Sequence, residues 1–234
     1  GEKTTVLLTD FSDYANAGAN SAPRNVLAVD VAPLSLVFET AAPAERMYTI
    51  MNHELVHITN TDQPSPSDAR ARKFFGGKVV AEPENPETTP RKSSPRWFLE
   101  GMAVFAETWM AGGYGRAQGY WDEMVFRAMV RDDAHFYDPL GLVSEGVRVD
   151  FQGQSNAYLY GTRFITWLAY TWTPEHVVDW AKRDDGSHRS YRRDFERVFG
   201  KPLDDAWQEW IAFEKAFQGA NLESVRTFPT TEYQ

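Results

Sequence analysis

The chain of 234 residues contains no cysteine. A disulfide framework, thiolate metal sites and a cysteine nucleophile are therefore excluded, and imidazoles and carboxylates are left as the ligands of any metal. Histidine is scarce as well, with five in the chain. There is no apolar run of roughly 18 residues, so no membrane span is expected. Positive charge is in deficit: 24 Lys and Arg face 33 Asp and Glu, for a formal net charge of −9 and a pI near 5.1. That balance, with no Lys/Arg-rich patch, speaks against a nucleic-acid partner and against an anionic membrane surface. No signal peptide is visible. The chain opens on Glu2-Lys3-Thr4-Thr5-Val6, which reads as the start of a trimmed domain, and the expected location is periplasmic or secreted.

What is present is globular in character. Hydrophobic residues make up 42% and aromatics 14%, with eight Trp, enough for a sizeable core in one large domain or two small ones. The most informative stretch is His53-Glu54-Leu55-Val56-His57, an H-E-x-x-H pattern between Met47 and Ile58. In a helix, residues four apart share one face, so two imidazoles there can grip one metal ion from a rigid support. The Glu between them projects beside that face, within reach of a water on the metal.

Short apolar or alternating runs at Thr4–Leu8, Asn25–Val31 and Leu34–Phe38 read as strands. Asp10 to Ser21 is rich in Asp, Asn, Ser, Ala and Gly and reads as a loop. Its Asp10, Asp13, Asn16 and Asn20 do not follow the spacing of a calcium loop, so turn chemistry is the better reading. Pro43 opens the metal-site helix, which fades at Asn60-Thr61-Asp62. Gln63 to Pro95 carries six prolines. It reads as a long break pinned to the body by Phe74-Phe75 and Val79-Val80, either a cleft wall or a surface excursion. Helices are then expected over Arg96–Met110, Gln118–Arg131, Gln154–Thr171, a segment N-capped by Thr173, Arg189–Phe199 and Leu203–Phe217. Ala111-Gly112-Gly113-Tyr114-Gly115 is a helix-ending turn, and Asp138–Gln152 a loop with a short strand at Gly146–Val149. Trp180, Phe195, Phe199, Trp207, Trp210 and Phe213 read as the core of the helical half. Asn221 to Gln234 has no helical pattern and reads as a tail, the start of a following strand-rich domain.

Two histidines do not complete a zinc site, which in enzymes takes three protein ligands and leaves a position for water. His135, His176 and His188 fall in a loop or near helix ends and read as ordinary surface residues. Glu100 is better placed, in Trp97-Phe98-Leu99-Glu100-Gly101-Met102-Ala103. A carboxylate amid so many apolar residues is costly to bury unless a cation or donor meets it. Gly101 beside it lets this helix approach another closely. Glu107 lies on nearly the same face, roughly 10 Å along the axis. That is too far to share the ion, and either a pocket role or a solvated one fits it.

With these residues in view, the pattern H-E-x-x-H followed by Trp97-Phe98-Leu99-Glu100-Gly101-Met102-Ala103 resembles the gluzincin zinc peptidases, the group of thermolysin and aminopeptidase N. The longer spacer and the aromatics before Glu-Gly look like the bacterial peptidase-MA-like domains, which often precede a TolB-type β-propeller. The resemblance implies Zn²⁺ held by His53, His57 and Glu100, with Glu54 as general base. Tyr158-Leu159-Tyr160-Gly161 is similar to the Tyr-x-Lys-Gly of aminopeptidase relatives, which implies Tyr158 as oxyanion donor. Tyr160 stands where that family has Lys, which leaves Tyr160 as runner-up. The Gly-x-Met-Glu-Asn strand of aminopeptidases has no counterpart near Val26–Asp30, so an endopeptidase is expected rather than an aminopeptidase.

The expected fold is α+β and zincin-like. A small N-terminal mixed sheet and active-site helix (1–62) precede a Pro-rich connection (63–95), a helical subdomain with the third ligand (96–220) and a tail (221–234). The expected function is zinc-dependent hydrolysis of peptide bonds in a peptide or protein substrate, with a C-terminal propeller as a further partner in the full-length protein. Two alternatives stand beside it: a non-catalytic peptide-binding or docking domain, which would have no need of Glu54 as a base, and a zinc amidase with a non-peptide substrate.

Overall fold

The computed structural model describes residues 2–11, 16–32, 46–78, 88–113, 115–143 and 155–230. Within them the chain is α+β: a three-stranded sheet followed by a mainly helical body. Strand β1 (Thr4–Thr9) runs parallel to β3 (Asn25–Asp30), with Thr4 opposite Asn25 and Thr9 opposite Asp30. Strand β2 (Asn16–Asn20) runs antiparallel to β3, with Asn16 opposite Asp30 and Asn20 opposite Val26. The order is β1-β3-β2, which leaves β2 at an edge. Leu27 and Val29 of the central strand are buried, as their alternation requires. Val31 lies beyond the strand and is exposed.

Strand β2 corrects the reading of Asp10–Ser21 as a loop. Asn-Ala-Gly-Ala-Asn has poor strand propensity, and pairing with β3 overrides it. Asn16 and Asn20 thus sit in a strand, and Asp13 lies outside the described residues. Leu34–Phe38, Pro43, Val79-Val80 and Gly146–Val149 also lie outside them.

Helix α1 (Arg46–Asp62) carries the H-E-x-x-H pattern mid-helix. The proline-rich segment is more regular than its composition suggests. It contains α2 (Pro66–Phe75), started by a capping box between Ser65 and Asp68 with Pro66 in the first turn, and stopped by Gly76 at φ 75°. Phe74 and Phe75 do not pin it, being 84% and 48% exposed. The anchors are polar: Asp68 accepts from Arg183 through both carboxylate oxygens (2.9 and 3.2 Å). Arg91, in a single 3₁₀ turn (Pro90–Ser93), is wholly buried against Asp194.

Helix α3 spans Arg96–Met110, as its apolar period predicts. There follow α4 (Tyr120–Arg131), the short α5 (Pro139–Val143) inside the expected loop, α6 (Asn156–Thr171), α7 (Pro174–Ala181), α8 (Tyr191–Phe199) and α9 (Leu203–Arg226). Helix α9 overruns the expected start of the tail. Glu214 and Gln218, both buried, bond each other at 2.8 Å, and Glu214 takes a forked contact from Arg163. These polar anchors continue the helix where the apolar signal fades. Trp180, Phe195, Phe199, Trp207 and Trp210 form the expected core with Trp97, Phe98 and Phe164, whereas Phe213 is 38% exposed.

Helices α3 and α6 meet at Gly101 and Gly161. A Cβ on Gly101 would fall 2.4 Å from the carbonyl carbon of Gly161, and one on Gly161 would fall 2.0 Å from the Trp97 oxygen. No side chain fits at either place, so the glycine beside Glu100 lets α6 bring its first turn against α3.

Candidate metal centre

Helix α1 turns His53 and His57 toward α3, and the Nε2 atoms of the two imidazoles lie 3.1 Å apart. Each lies 3.3 Å from Oε2 of Glu100. Among the described residues this is the one group of three potential ligands gathered closely enough for a metal ion. Four ligands at zinc bond lengths of about 2.0–2.1 Å in a tetrahedron are separated by about 3.3 Å. The three atoms therefore outline one face of such a tetrahedron.

The proton inventory points the same way. Nδ1 of His53 lies 2.7 Å from Oε2 of Glu107. A carboxylate only accepts, so Nδ1 carries a proton, and in the neutral ring Nε2 would present a lone pair. Nε2 faces another imidazole nitrogen and a carboxylate oxygen, so three potential ligand atoms converge. Glu107 is 4% exposed. Seven residues separate it from Glu100, too far to share an ion, yet one imidazole bridges that gap by offering a different nitrogen to each carboxylate. Such a contact orients a metal-binding histidine and raises its basicity.

The electrostatics express the same appetite for positive charge. Burial pulls the His53 pKa down, but hydrogen bonds to Glu100 and Glu107 outweigh it and raise the value to about 9. Burial pushes Glu100 up, while His53 and His57 hold it well below the usual carboxylate range. A proton trapped in the cluster stands in for a cation. Zinc fits this donor set: two imidazole nitrogens and a carboxylate oxygen are its ordinary ligands when thiolates are absent.

Glu54, Tyr158 and the triad line one cavity of ≈ 360 Å³. Burial raises the Glu54 pKa, and the neighbouring imidazoles oppose that rise. Tyr158 enters from the first turn of α6, with its ring 6.4 Å from that of His53. The guanidinium carbons of Arg96 and Arg116 lie 5.3 and 4.8 Å from its centroid. Burial, then the charge of Glu100, push the Tyr158 hydroxyl up to about 12, so it remains a donor at neutral pH. Tyr160, the runner-up, is wholly buried. It stacks on Trp207 with planes 3° apart, and its hydroxyl accepts from the Tyr137 N–H at 3.3 Å. It does not line the cavity. His135 and His188 are exposed, and His176 bonds Thr173 at 3.0 Å.

Sequence reasoning left Glu107 undecided and missed Arg96, Arg116, Lys92 and strand β2, whose Ala17–Asn20 form a wall of the cavity. The seven-residue spacing of Glu100 and Glu107 was the one available signal. The others depend on chain segments meeting in space. In comparisons with known proteins, no family, curated protein or solved structure matches the chain.

Proposed function

We propose that the protein is a zinc-dependent peptidase of gluzincin type on a zincin-like fold. The observation that carries this is the triangle of His53 Nε2, His57 Nε2 and Glu100 Oε2, with sides of 3.1, 3.3 and 3.3 Å, facing a cavity that Glu54 and Tyr158 share. Zinc held there supplies a lowered pKa for water and polarises the substrate carbonyl.

The remaining work falls to the protein. Glu54, one residue from His53 and raised by burial, takes a proton from the attacking water and returns it to the leaving amine. Tyr158, held under two guanidinium groups, donates to the oxygen on which charge develops. Glu107 keeps the ring of His53 in one tautomer and one orientation.

The edge strand favours a peptide over a non-peptide amide. Strand β2 pairs with β3 on one side only, and among the described residues no strand covers the other. Its Ala17, Gly18 and Ala19 are small enough for an extended backbone to lie alongside and add as a further strand. Nothing of comparable specificity favours the docking-domain reading, which leaves the buried Glu54 without a task.

The test is Glu54→Gln with metal analysis and digestion of a broad peptide library. The variant should retain stoichiometric zinc and lose hydrolysis by at least about 100-fold, the usual scale of a general base. Full activity in the variant, or a wild-type chain that takes up no zinc, overturns the reading.

A further inference from the structure

Lys92 stands out among the cations around the cavity. Arg96 faces Glu100 at 3.5 Å and Arg116 faces Glu107 at 4.0 Å. Lys78 is spent on Asp62 and Glu2, at 2.7 and 2.9 Å. Lys92 lines the same cavity as the triad and Glu54, yet no carboxylate among the described residues reaches it. The charge that bears on it is another cation, Lys78. Lys92 is exposed, and its ammonium borders the cavity without a carboxylate partner among the described residues.

Its position is fixed on two sides. The preceding residue, Arg91, is wholly buried and bonded to Asp194 and to the carbonyls of Trp180 and Ala181. Lys92 therefore projects from a turn that cannot shift freely. Its Nζ donates to Oδ1 of Asn20 at 2.8 Å, and that oxygen is itself held by the Ala22 N–H at 3.2 Å. Asn20 is the last residue of β2. An ammonium has three donors, and Asn20 occupies one. A chain lying along β2 would thus end, or project a side chain, beside an ammonium with donors to spare.

We propose that Lys92 forms a carboxylate subsite at the Asn20 end of β2, and that the protein selects peptides carrying a carboxylate near the cleaved bond. This rests on the peptidase reading for the cleavage and not for the binding. The carboxylate has two sources, an Asp or Glu side chain or a free chain terminus, and both offer the same two oxygens.

Binding of short fluorescent alanine-based peptides to the zinc-loaded Glu54→Gln protein separates the cases. One set carries Asp, one Asn and one Lys, each with an amidated or a free C-terminus. The Asp or free-terminus peptides should bind roughly twofold to fivefold tighter than the amidated Asn peptides, the scale of an exposed charged pair. Lys92→Met should bring that ratio to about one, and Lys92→Glu should turn it toward the Lys peptides. A preference that survives amidation assigns the side-chain source, and one that vanishes assigns the terminus. A ratio near one with Lys92 intact, or a ratio unchanged in Lys92→Met, overturns the subsite, and so does a failure to bind any peptide. Wild-type protein that cleaves none of the peptides, while the binding preference holds, overturns the hydrolase reading and leaves the subsite standing.

Discussion

Two clusters of buried charge lie on either side of the turn at Pro90–Ser93, and they are built on opposite principles. In the first, Arg91 meets Asp194, which also accepts from Arg197 at 2.7 Å and from the His188 N–H at 2.9 Å. Arg183 meets Asp68 and Ser65. Each guanidinium is answered by a carboxylate, and spare donors end on backbone carbonyls. In the second, His53, His57 and Glu100 point three potential ligand atoms at one place and meet chiefly one another there. The first cluster closes on itself and fastens the proline-rich segment to the helical body. The second is a group that could hold a metal ion. Closed pairing marks structure, and surplus basicity marks a site.

Removing one member from each should therefore break different things. Glu100→Ala strips the proposed third ligand, and stoichiometric zinc should be lost. The chain should still fold, because the imidazoles left behind border a cavity of ≈ 360 Å³ that water can enter. Metal analysis beside a melting curve reads both. A Glu100→Ala protein that keeps one zinc per chain refutes the third-ligand assignment.

Arg91→Met should do the reverse. Asp194 is fully buried and would lose its main counter-charge. Breaking such a pair costs about 3–5 kcal/mol, or about 6–20 °C in melting temperature for a chain of this size. Denaturant or thermal unfolding checks it. A loss below about 1 kcal/mol would show that Arg197 and the His188 N–H satisfy Asp194 unaided, and the closed cluster would then be no lock.

The contrast also explains what could be read from the chain alone. The three potential ligands were legible because their spacing is set within two helices. His53 and His57 follow the helical period, and Glu100 stands out as a carboxylate in an apolar stretch beside a glycine. Helix α3 was legible for the same reason, since Trp97, Phe98 and Gly101 mark its buried face. The closed cluster was not. Arg91 and Asp194 lie far apart in sequence, and nothing local distinguishes them from solvated charges. Strand β2 was hidden by its composition, because Ala, Gly and Asn form a strand there only when β3 is present to pair with. The anchor of the proline-rich segment was sought in Phe74 and Phe75 on the rule that aromatics go inside. The capping box at Ser65 was the better guide, since its Asp68 is the residue that Arg183 holds.

Asp122 lies between the two principles and offers the smallest and most selective test. It sits in the first turn of α4 and is 6% exposed. The cations that bear on it, Arg116 and Arg163, are shared with Glu107 and Glu214. Burial raises its pKa from 3.8 to about 7, Arg116 and Arg163 oppose the rise, and Glu214 and Glu123 reinforce it. The folded chain thus holds this proton more tightly than the unfolded one. Below about pH 4 both states are protonated and Asp122 costs nothing. As pH climbs from about 4 toward 7 the unfolded chain ionises Asp122 while the folded chain still holds the proton, so stability falls, reaching its full loss above about pH 7. Asp122→Asn removes that loss. It should raise stability at pH 8 by on the order of 2 kcal/mol, about 4–8 °C in melting temperature, and leave it nearly unchanged at pH 4. Equal gains at the two pH values would mean that the substitution improves packing. No gain at pH 8 would mean that Arg116 and Arg163 answer Asp122 fully, which would move it into the closed class with Asp68 and Asp194.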